Sequence, residues 1–174
     1  MVKFPSAFAE YFFLVGVAMN IGRLLSCVVV LTIFGVQPSP AAQVKWSATV
    51  SGDAATAANC SNCDEDISLL LSCKRGSPDV RVSLMLLEQR EESFAGKPVV
   101  VSVTSEAGRL ALAGTYGNPG LIGPYPQLSV PQGSPFLSLL SRSSSVTFSA
   151  NKKKAKLGMA GSNAAIAKMY KACR

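Results

Sequence analysis

Residues 67–87, ISLLLSCKRGSPDVRVSLMLL, show the pattern of a β-rich fold. Two apolar runs, 67–73 and 80–87, flank a polar segment that contains Gly, Pro and Asp, the residues that favour turns. Alternate residues of the second run are apolar and would share one face of a strand: Val80, Val82, Leu84 and Leu86. This stretch therefore predicts an antiparallel β-hairpin with one buried face.

Similar signals on both sides of this hairpin extend the sheet. Residues 43–50 alternate apolar and polar side chains around Trp46 and predict a strand. Two further hairpins are predicted, one from residues 98–104 and 109–116, the other from residues 145–150 and 155–160. Residues 51–66 are small and polar, and predict a loop.

Two short helices complete the predicted domain. Pro135 would open the first helix, and Ser162 would cap the second, which runs towards the C-terminus. Residues 117–135 between the strands are rich in Gly and Pro, and predict a long loop with a short strand at 128–130. The predicted fold is mainly β: an antiparallel sandwich or open barrel of about six to eight strands with two short helices.

The N-terminal region has the features of an export signal. Arg23 precedes an apolar run, 24–36, and small residues follow at 39–42, which is the order found in secretory signal peptides. Residues 1–41 are therefore predicted as an N-terminal extension and signal peptide, with translation starting at Met1 or Met19, and residues 42–174 as one domain. The alternatives are a membrane anchor over 11–36 and a lipoprotein signal ending at Cys27.

Four cysteines follow the predicted leader, and an exported domain would carry them as two disulfides. Three connectivities are possible. We favour Cys73 with Cys173 and Cys60 with Cys63, because a bond to Cys173 would hold the terminal helix, which would otherwise fray.

The domain is basic, which favours an anionic partner. Two of the seventeen basic residues and one of the ten acidic residues lie in the leader, which leaves fifteen and nine and a net charge of +6. The expected partner is a protein or an anionic envelope component such as a phospholipid headgroup or lipopolysaccharide, not a nucleic acid. The candidate anion-binding residues lie in one lysine-rich turn, which could also be simply solvated: Lys152, Lys153, Lys154 and Lys156.

The residue types present argue against catalysis. The chain has no histidine, which removes Ser–His and Cys–His pairs and the commonest zinc ligand. No catalytic residue, cofactor or metal is therefore predicted. The acidic residues Asp64, Glu65 and Asp66 fall short of a calcium loop. One alternative function is thiol–disulfide exchange by Cys60 and Cys63, although the acidic residues beside them would raise a thiol pKa.

Three features resemble small exported proteins of α-proteobacteria, in particular the invasion-associated locus B family. They are the Trp46 strand soon after the signal peptide, the strand closed by a cysteine at 69–73, and the ending LGMAGSNAAI at 157–166. This resemblance implies a periplasmic or surface β-domain that binds other molecules or supports the envelope without catalysis. The sequence 113–116, AGTY, also resembles the inhibitory loop of periplasmic lysozyme inhibitors, which gives a third candidate function.

Export can be tested by intact mass. When the full chain is produced in a Gram-negative host, we expect a mature protein that starts at Ala42 or Gln43, with all four remaining thiols blocked against alkylation. An uncleaved chain would support the membrane anchor instead.

Overall fold

The computed structural model describes residues 45–117 and 122–174; the predicted leader lies outside these residues. Nine strands, two helices and two 3-10 turns make up the described chain. The strands are β1 (Lys45–Ser51), β2 (Ala54–Cys60), β3 (Ile67–Lys74), β4 (Asp79–Ser83), β5 (Pro98–Ser105), β6 (Gly108–Gly117), β7 (Tyr125–Pro131), β8 (Ser145–Ala150) and β9 (Lys153–Gly158). The helices are α1 (Pro135–Arg142) and α2 (Ser162–Cys173), and the 3-10 turns are Met85–Leu87 and Glu92–Phe94.

All nine strands belong to one open sheet in the order β1-β2-β3-β4-β7-β6-β5-β8-β9, and every neighbouring pair is antiparallel. The mainly-β prediction is confirmed, as is the position of the last helix. The described residues form nine strands rather than six to eight, and of the two predicted arrangements the single open sheet excludes only the two packed sheets of a sandwich.

The inner face of the sheet carries the core. In β5, Val99, Val101 and Val103 are buried, whereas Val100 between them is 62% exposed, as expected for a strand with one face in the core. Both helices pack on this inner side. Phe136 of α1 and Phe148 of β8 meet there edge to face, with ring centroids 6.5 Å apart.

Helix α2 packs against β1, β2 and β3, and side chains near its start link the two edges of the sheet. Trp46 Nε1 and Asn59 Nδ2 each donate a hydrogen bond to the carbonyl oxygen of Gly158 at the end of β9, both at 3.3 Å. From α2, Lys168 Nζ donates to the carbonyl oxygen of Ala48 at 3.0 Å. In the described chain, β1 and β2 are not paired with β9 through backbone hydrogen bonds, so these side chains provide the connection.

The prediction that 51–66 form a loop is wrong for Ala54–Cys60, which is strand β2. Its alanines gave only a weak strand signal. The buried residues Ala55 and Ala57 lie under α2, where short side chains allow the helix to approach the sheet closely.

Three predicted strand limits also shift. The strand predicted over 80–87 ends at Ser83 and is followed by a 3-10 turn, and β7 is longer than the predicted 128–130. Strand β9 begins at Lys153 rather than at residue 155, because the turn uses only Asn151 and Lys152, with φ of 47° and 66°. Positive φ at both central residues is typical of the type I′ turn of a two-residue hairpin.

The helix starts are predicted correctly in one case and incorrectly in the other. Helix α1 begins at Pro135, and the Ser134 side chain accepts a hydrogen bond from the Phe136 N–H as an N-cap. In α2 the N-cap is Gly161, whose φ of 87° is left-handed. Ser162 does not cap; its hydroxyl is buried and donates to the Leu140 carbonyl oxygen of α1 at 2.7 Å.

The cysteines pair as the sequence favours. Cys73 is bonded to Cys173, with their Cα atoms 6.0 Å apart, and Cys60 is bonded to Cys63, with Cα atoms 5.0 Å apart. The first bond joins β3 to the end of α2 across 100 residues, whereas the second closes a short loop after β2.

These loop lengths predict different contributions to stability. Replacing Cys73 and Cys173 by alanine should lower the free energy of unfolding by about 4–5 kcal/mol, whereas the same change at Cys60 and Cys63 should cost about 2 kcal/mol, because a longer closed loop restricts the unfolded chain more. Urea unfolding without reductant measures both values. Equal losses would contradict this account.

Candidate functional site

The candidate site is a surface on the outer face of β5, β6, β8 and β9, built from two rows of side chains. One row runs across the strands as Lys156, Thr147, Thr104 and Arg109, and the other as Lys154, Ser149, Ser102 and Ala111. Side chains two residues apart on a strand point to the same side, so both rows lie on the face opposite the core. We name seven of these residues the basic platform: Arg109, Lys154, Lys156, Ser102, Thr104, Thr147 and Ser149.

The platform is concave because long side chains on its two outer strands flank short side chains on its two central strands. The two central strands, β5 and β8, carry Ser and Thr, whereas β6 and β9 carry the longer Arg and Lys side chains. This arrangement forms a shallow depression of about 330 Å³ lined by six of the seven residues, all except Lys156. At about 4.8 Å per strand, Arg109 and Lys156 stand about 14 Å apart on opposite sides of it.

Every charged side chain of the platform is positive. None of the eight positions in the two rows carries a carboxylate, and Arg109, Lys154 and Lys156 are exposed. The nearest acidic residue along the chain from Arg109 is Glu106, in the turn between β5 and β6. Its carboxylate accepts a hydrogen bond from the Ser144 N–H, which holds the pKa of Glu106 below its usual value.

The hydroxyls of the depression add neutral donors to this positive charge. Ser and Thr hydroxyls can donate to phosphate or carboxylate oxygens, and lysine and arginine provide charge-assisted hydrogen bonds to the same groups. The arrangement can therefore bind an oxyanion.

The structure separates the four lysines of the predicted anion site. Lys154 and Lys156 lie on the platform, and Lys152 lies in the turn. Lys153 is on the other face of β9, where its ammonium donates to the Glu88 carbonyl oxygen. The lysines were predicted as one turn cluster, but strand alternation divides them between two faces.

Arg109 and the four hydroxyl residues of the platform were not predicted as site residues. The period-2 pattern contained a signal for them, because Ser102, Thr104, Thr147 and Ser149 all occupy the polar positions of predicted strands. What the sequence does not contain is the pairing of β5 with β8, which brings residues more than 40 positions apart into one row.

The Cys60–Cys63 disulfide lies at the other side of the sheet, at the end of β2. Cys60 is buried and Cys63 is half-buried, with the Ser47 hydroxyl 3.5 Å from the Cys63 sulfur. The pair follows a strand and does not open a helix, so no helix N-terminus would lower a thiol pKa there. This geometry gives thiol–disulfide exchange little support.

The acidic residues after this disulfide are engaged within their own loop. Asp66 accepts a hydrogen bond from the Ser61 hydroxyl, and Glu65 accepts one from the Asn62 side-chain amide. Within residues 45–117 and 122–174, no group of three or more cysteine, aspartate or glutamate side chains is arranged to hold a metal ion.

Residues 114–116, which resemble an inhibitory loop, do not form a loop. They lie inside β6, paired with β5 and β7, and Tyr116 is buried, which raises the pKa of its phenol. A tip that enters an enzyme cleft must protrude, so the structure does not support a lysozyme inhibitor that uses these residues.

Comparison with protein-family models, curated proteins and solved structures finds no match for this chain. The resemblance to the invasion-associated locus B family therefore stays a prediction.

In the part of the chain that the structure describes, neither helix has the length and apolar character needed to cross a membrane.

The close packing of β6 against β7 gives a testable prediction. A methyl group on Gly114 would overlap the backbone carbonyl oxygen of Gln127 and the side chain of Leu128. Gly114→Ala should therefore lower the free energy of unfolding by about 1–3 kcal/mol. Gly133→Ala, where a methyl group meets open space, is the matched control and should change it by less than about 0.5 kcal/mol.

Proposed function

We propose that this protein is an exported, non-enzymatic binding domain that holds an anionic partner on the basic platform. The observation that carries this proposal is the pair of cross-strand rows, which place three cations around four hydroxyl side chains on one exposed face. The partner is a protein or an envelope component that presents carboxylate or phosphate groups.

The disulfides support an exported location. Disulfides persist in oxidising compartments such as the periplasm, and are rare in the bacterial cytosol. Both bonded pairs lie in the described domain, and one of them joins segments 100 residues apart. The predicted signal peptide and the resemblance to exported β-domains favour the same compartment.

The magnitude of the charge interaction indicates what kind of anion would bind. A lysine or arginine near an anionic surface contributes about 1 kcal/mol to the free energy of binding at physiological ionic strength. The three cations of the platform therefore contribute about 3 kcal/mol. That is less than the binding free energy of roughly 4 kcal/mol that corresponds to a Kd of about 1 mM. A single small anion would therefore bind weakly, whereas a partner with several anionic groups would use the whole platform.

Paired charge variants test this proposal. Lys154→Gln with Lys156→Gln removes two platform charges, and Lys45→Gln with Lys171→Gln removes two exposed charges elsewhere, so both variants have the same net charge. Losing two charges should reduce the binding free energy by about 2 kcal/mol, so we expect the platform variant to bind polyanions about 30-fold more weakly than the native chain. The control variant should bind them less than threefold more weakly.

Two probes distinguish the source of the anion. Fluorescence anisotropy with labelled poly-L-glutamate measures binding to carboxylates, and co-sedimentation with phosphatidylglycerol vesicles measures binding to phosphates. Binding of both probes should weaken as salt is raised, because salt screens exposed charges. Equal losses in the two variants, or no binding of either probe at low salt, would refute the proposal.

A further inference from the structure

The backbone of β9 presents unpaired hydrogen-bonding groups at the edge of the sheet. In a two-residue hairpin, the residues that flank the turn exchange hydrogen bonds, and every second pair after them does the same. Here Ala150 and Lys153 flank the turn, so residues 153, 155 and 157 bond to β8. The N–H and C=O groups of Lys154 and Lys156 therefore point away from the sheet.

Three observed hydrogen bonds agree with this assignment. The Met159 N–H donates to the Ser144 carbonyl oxygen, so residue 159 continues the series that bonds to the neighbouring strand. The carbonyl of Gly158, which belongs to the outward series, accepts the side-chain hydrogen bonds of Trp46 and Asn59. Within the described residues, no such partner contacts the main chain of Lys154 or Lys156.

The opposite edge of the sheet is protected differently. On β1 the outward carbonyl of Ala48 accepts a hydrogen bond from Lys168, which ties α2 to that edge. Among the described residues, the Gly158 carbonyl of β9 is also covered, by Trp46 and Asn59. At Lys154 and Lys156 the edge is protected by the charge of the two lysines, which discourages pairing with neutral or basic strands. An acidic strand would meet no such repulsion.

We propose that the partner is an extended acidic segment of another protein, which adds to β9 as a tenth strand. This inference rests on the proposed function, because it identifies which kind of anionic partner the platform takes. The main chain of the segment would pair with the N–H and C=O groups of Lys154 and Lys156, a mode of recognition known as β-augmentation. Acidic side chains at every second position would lie beside those two lysines on the outer face.

Charge favours this occupant over a second copy of the chain. If two copies paired through β9, Lys154 and Lys156 of one copy would face the same lysines of the other, and like charges on adjacent strands repel. An alternating acidic segment of five or more residues removes this repulsion and spans both lysines.

The test uses a fluorescein-labelled seven-residue peptide that alternates glutamate with valine or threonine. A second peptide has the same sequence but is N-methylated at the amides that would face β9, so its charge is unchanged. We expect the native chain to bind the methylated peptide at least tenfold more weakly in an anisotropy titration. Equal affinities would overturn the inference.

Two variants of one residue give an independent measurement. Lys156→Pro removes both the charge and the outward N–H, whereas Lys156→Gln removes only the charge. Because that N–H does not bond to β8, proline leaves the hairpin ladder intact. We expect Lys156→Pro to bind the unmethylated peptide at least tenfold more weakly than Lys156→Gln does, with circular dichroism checking that both variants are folded; if proline prevents folding, the peptide pair alone decides.

The outcomes separate this inference from the proposed function. If both peptides bind equally, and more weakly as salt rises, the platform holds anions through its side chains only and the added strand is refuted. If neither peptide binds but poly-L-glutamate or the phosphatidylglycerol vesicles do, the added strand is refuted and the proposed function stands. If the peptides, poly-L-glutamate and the vesicles all fail to bind, the proposed function fails as well.

Discussion

The docking of α2 onto β1, β2 and β3 is the constraint on which the rest of the fold depends. Strand β2 carries small inner side chains, Ala55 and Ala57, and the buried residues Ile166 and Met169 of α2 belong to the same core. The Cys73–Cys173 bond fixes the far end of the helix to β3. At its near end, the turn at Gly158 and Gly161 lies against Trp46. Without the helix, the inner face of these strands would be exposed to water, and the fold would lose the free energy that it gains by burying that apolar surface.

Because the helices cover the inner face, the outer face is left to solvent and can carry polar side chains. The alternation is visible in β9, where Leu157 is buried while Lys154 and Lys156 are exposed. The basic platform is therefore a consequence of one sheet with one covered face, not an addition to it. A slip of one residue in the pairing of β8 and β9 would turn both lysines into the core, so the same alternation that forms the platform also protects the register.

Much of the fold could be predicted from local sequence, because the hairpins and α1 have strong local signals. The hairpin of β3 and β4, the alternation of β6 and the start of α1 at Pro135 all follow from periodicity and turn chemistry. Strand β2 could not be predicted, since its alanines satisfy a packing requirement of α2, which begins at Ser162, far along the chain from Cys60. The platform was predicted only in part: Lys154 and Lys156 were identified by their charge, but Arg109 joins them through the pairing of β5 with β8.

Because β3 and α2 lie far apart along the chain, β3 is synthesised well before the helix that packs on it. Ribosomes add about 5–20 residues per second, so the 100 residues between Cys73 and Cys173 take about 5–20 s to synthesise. During that interval β1, β2 and β3 exist without the helix that covers them. Isolated strands with an uncovered apolar face tend to aggregate, so we expect a nascent chain of this protein to need protection by a chaperone until residues 162–173 have been made.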